Sequence, residues 1–82
     1  NPFNAKTTIR YEIPINSDIK IDVYDITGRF IKNLVNKYHS PGKYKVDWNG
    51  ENMFNKEIGS GIYFYKIQSG AYTRSVKMIL LK

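Results

Sequence analysis

The sequence predicts an all-β fold, a small antiparallel β-sandwich, on two observations. Apolar and polar residues alternate with a period of two in most segments, which is typical of strands with one buried face. Clusters of glycine, proline, asparagine and serine separate these segments at intervals of about 8–12 residues. The chain of 82 residues has no cysteine, which excludes a disulfide scaffold and thiolate metal sites. We therefore expect residues 1–82 to form a single domain around one small core.

Five segments carry the strand pattern. In order they are residues 8–13, 19–24, 44–48, 62–67 and 72–81. The first three alternate strictly, the fourth is apolar on both faces until Lys66, and the last ends in an apolar run. Ser69-Gly70 is short enough to join the last two strands in a hairpin. The predicted core residues are Ile9, Tyr11, Ile21, Val23, Val46, Trp48, Tyr63, Tyr65, Met78 and Leu80.

One segment, residues 30–38, is ambiguous between helix and strand. Its apolar residues Phe30, Ile31, Leu34, Val35 and Tyr38 recur at helical spacing. Side chains suited to a helix cap stand just before it, at positions 25 and 27. As a strand, residues 31 and 34 fall out of phase, which requires a bulge between them. The spacing slightly favours a helix, whereas the strands on both sides favour another strand.

The charge balance is basic, with 13 Lys and Arg against 7 Asp and Glu, a net charge of +6. Such a balance suits nucleic acid, lipid headgroups or anionic polysaccharide. The basic residues are spread along the whole chain, so we interpret them as solubilising and expect no nucleic-acid partner.

The sequence has no membrane-length apolar run, no signal peptide and no initiator methionine, so we expect an excised part of a longer protein.

Candidates for chemistry are few. His39 lies beside Ser40 in a predicted loop, and because adjacent residues rarely form an in-line pair, we interpret it as a solvated loop histidine. The carboxylates are interpreted as polar-face and turn residues, since so small a domain has little capacity for a deep catalytic cleft. Residues 47–51 space oxygen donors like a calcium loop, but Asn52 and Ile58 replace its glycine and glutamate. We therefore expect no enzymatic activity, cofactor or metal.

Aromatic residues are the remaining candidates for a binding surface. A platform of seven Tyr, four Phe and one Trp could stack on sugars or bases, but most lie at predicted core positions. The surface candidates are Tyr24, Tyr38, Phe54, Phe64 and Tyr72.

The order of short motifs along the chain gives a family resemblance. The motifs include Asn1-Pro2-Phe3-Asn4, Thr8-Ile9-Arg10-Tyr11, Val23-Tyr24-Asp25, Gly28-Arg29, Trp48-Asn49-Gly50, Gly61-Ile62-Tyr63 and Lys77-Met78-Ile79-Leu80-Leu81-Lys82. In this order they resemble the C-terminal sorting domains of the type IX (Por) secretion system and the related FlgD-type immunoglobulin-like domain. The family's usual Trp-Asp-Gly here reads Trp48-Asn49-Gly50, which further weakens a carboxylate role at that turn.

The resemblance implies an immunoglobulin-like sandwich of about seven strands, with residues 29–35 in a strand. It implies a non-enzymatic module that directs an upstream passenger to the cell surface of a Gram-negative bacterium, with the outer-membrane secretion machinery as partner. The family's recognition-associated region maps onto residues 77–82, so the candidate recognition residues are Lys77, Ile79, Leu81 and Lys82. Ile79 and Leu81 on an outer face require a cover, which self-association through the last strand would also supply.

Two other functions remain open. One is a structural accessory domain of a secreted hydrolase, with weak affinity for glycans. The other is an FlgD-like hook-capping module, which the terminal run of residues 77–82 disfavours because such a module would continue into further sequence.

Overall fold

The computed structural model describes residues 6–81, which form six strands in two antiparallel sheets. The strands are β1 (Thr7–Ile13), β2 (Ser17–Asp25), β3 (Phe30–His39), β4 (Gly42–Trp48), β5 (Gly61–Ser69) and β6 (Tyr72–Leu80). β1 pairs with β4, and the larger sheet has the order β3-β2-β5-β6. The predicted antiparallel sandwich is confirmed, with six strands in these residues rather than about seven. The motif at residues 1–4 lies outside the described residues.

The predicted hairpin between the last two strands is present. Ser69 pairs with Tyr72, which leaves Gly70 and Ala71 as the connecting residues. Gly70 has a φ of 61°, a left-handed conformation that glycine adopts without steric cost. No helix within residues 6–81 is long and apolar enough to cross a membrane.

Side chains from both sheets enclose one hydrophobic core. Its buried members are Ile9, Ile13, Ile19, Ile21, Val23, Val35, Trp48, Tyr63, Met78 and Leu80. Three predicted members, Tyr11, Val46 and Tyr65, are only half-buried and pack against this cluster. For Tyr65, on β5 of the larger sheet, the reason is geometric, because a sheet of two strands cannot fully cover a sheet of four.

Trp48 connects the two sheets at one end of the core. Its indole ring is 1% exposed and meets the ring of Tyr63 edge-on, with centroids 5.2 Å apart. The indole Nε1 donates to the carbonyl of Glu51 at 3.0 Å. The hydroxyl of Tyr63 donates to the carbonyl of Gly59 at 2.7 Å, the backward bond of a tyrosine corner. These bonds fix the loop before β5 against the core.

The ambiguous segment is a strand, β3. In its register with β2, Ile31 and Leu34 are each skipped, so each is the extra residue of a β-bulge. The predicted bulge between these positions is therefore two bulges, at the two residues themselves. Each bulge lengthens the alternating period by one residue, which is why the segment imitates helical spacing.

Asn33 stabilises the backbone between the two bulges. Its Nδ2 donates to Oδ1 of Asp22 at 2.8 Å and to the carbonyl of Val35 at 2.9 Å, and lies 3.3 Å from the carbonyl of Ile21. Asp22 is buried although it points away from the core, so this amide satisfies a carboxylate that water barely reaches.

The turn between β2 and β3 is organised by the carboxylate of Asp25. Oδ1 accepts from the hydroxyl of Thr27 at 2.6 Å, from its backbone N–H at 2.9 Å, and from the N–H of Arg29 at 3.0 Å. Gly28 adopts a φ of 89° here. The side chains of Asp25 and Thr27, which would also suit a helix cap, thus stabilise a hairpin turn instead. The hydrogen bond from the Thr27 hydroxyl, followed by that from the Arg29 backbone, lowers the pKa of Asp25 to about 2.

Candidate recognition surface

β6, the last strand, is an edge strand of the larger sheet. It pairs with β5 in a continuous register from Gly61–Leu80 to Ser69–Tyr72, without a bulge. Within residues 6–81, no strand pairs with its other edge. Its outer N–H and C=O groups therefore face away from the sheet, as at any unpaired edge.

The two faces of β6 differ as alternation predicts. Met78 and Leu80 point into the core and are buried. Lys77 points outward, and Ile79 and Leu81 are 60% and 77% exposed. The smaller sheet does not cover these two side chains, because it lies on the opposite face. The fourth candidate recognition residue, Lys82, lies outside the described residues.

The outward residues of β6 have apolar neighbours on β5. Ile79 is opposite Ile62, which is also exposed, and Lys77 is opposite Phe64, which is half-exposed. The sequence predicts the hairpin of β5 and β6, but it does not give the register that places these apolar residues opposite Ile79 and Lys77. The only signal for Phe64 was its position out of phase with the core residues of the same strand.

Two lysines border this surface. The ion pairs within residues 6–81 join Lys6 to Asp47, Lys20 to Asp22, and Arg29 to Asp25. Lys77 and its diagonal neighbour Lys66 belong to none of these pairs. The surface is therefore apolar with a basic margin.

The prediction that His39 is a solvated loop residue is wrong. It ends β3, is 3% exposed, and its Nδ1 lies 3.1 Å from the carbonyl of Lys37. A carbonyl only accepts, so Nδ1 carries the proton and Nε2 accepts from the hydroxyl of Tyr11 at 2.8 Å. The ring also meets Tyr44 edge-on at 4.5 Å. Burial and the proximity of Tyr44 raise the pKa of Tyr11. The physical reason for the error is that the partner, Tyr11, lies on a strand distant in sequence.

The carboxylates occupy separate structural positions. Asp47 accepts a 2.6 Å hydrogen bond from the Thr8 hydroxyl, which is the main cause of its lowered pKa, and lies 3.7 Å from the Lys6 ammonium. Asp22 and Asp25 are bound to Asn33 and to the β2–β3 turn, as described above. In the part of the chain from residue 6 to residue 81, no group of three or more His, Asp or Glu side chains could hold a metal ion.

The aromatic surface candidates do not form one platform. Tyr38 and Tyr72 are exposed on β3 and β6, at opposite edges of the larger sheet, and Phe54 is exposed in the loop before β5. Tyr24 and Phe64 are half-buried neighbours on β2 and β5.

Comparisons with known proteins give a family from the sequence and a fold from the structure. A family model described as a secretion system C-terminal sorting domain matches residues 1–81. FlgD from P. aeruginosa is structurally similar, with a TM-score of 0.71 and 19% identity, over 92% of this chain and 60% of that one. Dimeric latent PorU from Porphyromonas gingivalis has a TM-score of 0.66 and 21% identity, over 96% of this chain and 8% of that one. At these identities, both likenesses show the fold alone. No curated protein matches the sequence.

Proposed function

Because this chain belongs to the secretion system C-terminal sorting domain family, we propose that residues 1–82 are one domain that directs an upstream passenger out of a Gram-negative cell. The machinery of type IX secretion reads the domain, and the passenger crosses the outer membrane to the cell surface. The observation that carries this proposal is the family match over residues 1–81. The passenger, rather than this domain, carries the biochemical activity.

We place the recognition surface on the outward side of β6, at Lys77, Ile79 and the adjacent Leu81, together with Lys82, the next residue of the sequence. The exposure of Ile79 and Leu81 supports this placement, since burying such a side chain against a partner contributes about 1.5–3 kcal/mol. The outer edge of β6, which no strand of residues 6–81 occupies, offers main-chain hydrogen bonds as well. A second copy of the domain that pairs along β6 would use the same side chains and main-chain groups. The oligomeric state of the purified domain distinguishes this self-association from recognition by the secretion machinery.

Export of a reporter tests the proposal. A signal peptide, a fluorescent protein and residues 1–82 are fused and produced in a bacterium that has type IX secretion. We expect the reporter at the cell surface or in the medium, and we expect Lys77→Glu with Lys82→Glu to retain it inside the outer membrane. The melting temperature should change little, because exposed charges contribute about 0–1 kcal/mol.

The matched control is Lys43→Glu with Lys45→Glu, which changes the net charge equally on β4 of the smaller sheet. This control should be exported like the wild type. Export of the Lys77/Lys82 variant at the wild-type level would show that the basic end is not the address. Failure of the wild-type fusion to leave the cell would contradict the sorting role itself.

We also propose that the domain is not an enzyme. The family match and the separate structural positions of His39, Asp22, Asp25 and Asp47 support this. Peptidase and glycosidase assays on the purified domain should equal buffer blanks. Turnover that scales with domain concentration through successive purification steps would contradict the proposal.

A further inference from the structure

An aromatic row crosses the outer face of the larger sheet. Phe30 pairs with Tyr24, Tyr24 pairs with Phe64, and Phe64 pairs with Lys77, so four neighbouring strands contribute one residue each. The adjacent row, which includes Val23, points into the core, so alternation places this one outward. The rings of Tyr24 and Phe30 meet edge-on, with centroids 6.0 Å apart. At a strand spacing of about 4.8 Å, the row is about 14 Å long.

A second apolar row lies beside the first. Ile62 on β5 pairs with Ile79 on β6, two positions nearer to the end at which β6 finishes. Both side chains are exposed. We name the apolar residues of these two rows the apolar half of the outer face. They are Tyr24, Phe30, Ile62, Phe64 and Ile79.

The other half of the same face is polar. Asp22 pairs with Asn33 and Lys66, and Lys20 pairs with Asn36 and Gln68. Solvation alone gives no reason for the large apolar side chains to gather at one end of a face. Tyr24 and Phe64 are half-buried, whereas Phe30, Ile62 and Ile79 are exposed around them. A contiguous, partly exposed apolar patch of this kind is typical of an interaction surface.

A shallow groove of about 440 Å³ opens at the border of the apolar half, beside Tyr24 and Phe64. The residues that line it include Tyr24, Phe64, Lys66 and Ser75, together with the β2–β3 turn. It is large enough to accept a projecting apolar side chain from a partner.

The lysines that border the apolar half favour a negatively charged partner. Lys66 and Lys77 flank Phe64, and neither belongs to an ion pair of residues 6–81. The nearby carboxylates are already bound, Asp22 by Asn33 and Asp25 by its own turn. Carboxylates on the partner would complement the two ammonium groups.

We propose that the apolar half docks a protein of the export machinery whose surface presents an apolar strip bordered by carboxylates. The proposal rests on the sorting function above and extends the contact from β6 across β5 and β2. The apolar half is continuous with the proposed recognition strand through the Ile62–Ile79 and Phe64–Lys77 pairs. A projecting side chain of the partner would enter the groove between Tyr24 and Phe64.

The test uses the same exported reporter fusion, with Phe64→Ser and Ile62→Glu as separate variants. We expect each to lower export about tenfold or more, as truncation of a central contact does. Ile62 is 39% exposed and outside the core, so Ile62→Glu should leave the domain folded even if Phe64→Ser loosens the sheet, and a melting curve of each purified variant checks this. The matched control is Tyr38→Ser, which removes an exposed aromatic residue from the polar end of the same outer face and should be exported normally.

Three outcomes would overturn the inference. If Ile62→Glu is exported like the wild type while the Lys77/Lys82 variant is retained, the contact is confined to β6 and only the sorting function stands. If Tyr38→Ser is retained as strongly as Ile62→Glu, the whole face lacks a defined docking site. If sedimentation shows a dimer of the purified domain that Ile62→Glu dissociates, the apolar half binds a second copy.

Discussion

The hydroxyl of Tyr11 on β1 and Nε2 of His39 on β3 join the two sheets by a hydrogen bond of 2.8 Å. The histidine is buried and its other ring nitrogen is bound to the carbonyl of Lys37, so Nε2 has this hydroxyl as its donor. A polar bond of this kind, on the border of the core, fixes how the smaller sheet lies on the larger one.

Tyr11→Phe should lower the free energy of unfolding by about 1–3 kcal/mol, because it leaves a buried nitrogen acceptor without a donor. Urea denaturation followed by tryptophan fluorescence measures the change. The control is Tyr38→Phe on exposed surface, which should stay within about 0.5 kcal/mol of the wild type. Equal stability of both variants would show that the bond to His39 contributes nothing.

Trp48→Ala should lower the free energy of unfolding by about 3–5 kcal/mol, since it empties the largest site of the core and removes the bond to Glu51. Because this variant loses the fluorophore, circular dichroism in urea is the appropriate measurement. Phe54→Ala, in the exposed part of the neighbouring loop, should cost less than about 0.5 kcal/mol. A loss below about 1 kcal/mol for Trp48→Ala would contradict the burial of the indole.

Acid should weaken the β2–β3 turn through Asp25. Its pKa is lowered to about 2 from the usual 3.8, so the ionised form stabilises the folded state. That stability is present above pH 3.8 and is lost as the pH falls toward 2. Asp25→Asn, which cannot titrate, should remove this part of the pH dependence in urea melts between pH 5 and 2. Parallel curves for the two proteins would show that Asp25 does not contribute.

Asn33→Asp should lower the free energy of unfolding by about 1.5–3 kcal/mol at neutral pH. In the wild type, Nδ2 of Asn33 donates to Oδ1 of Asp22 at 2.8 Å. The change removes this donor and places a second carboxylate beside that of Asp22. The control is Asn36→Asp on the same strand and face, where the new carboxylate lies opposite Lys20. Urea denaturation of the pair should show a loss only for Asn33→Asp, and equal losses would contradict the role of the amide.

The strands that alternate strictly were predictable because each buries one face, as β1 and β2 do. β3 was ambiguous because bulges at Ile31 and Leu34 depend on pairing with β2, which local spacing does not encode. His39 was misassigned for the same reason, since its burial depends on Tyr11 from another strand. The outward positions of Ile79 and Leu81 were predictable from β6 alone, whereas the apolar half required the register of four strands.

The two edges of the larger sheet are chemically unequal. β3 carries two bulges, and the carbonyl of Ile31 already accepts from the N–H of Met53, so a loop occupies part of that edge. β6 is regular, and no strand of residues 6–81 pairs with its outer edge. Growth of a fibre by edge-to-edge strand pairing needs two compatible edges on every copy, one to receive and one to extend. In the larger sheet only β6 offers an edge that is regular over its whole length, so pairing of this sheet with a second copy favours a closed pair of β6 strands over a continuous fibre.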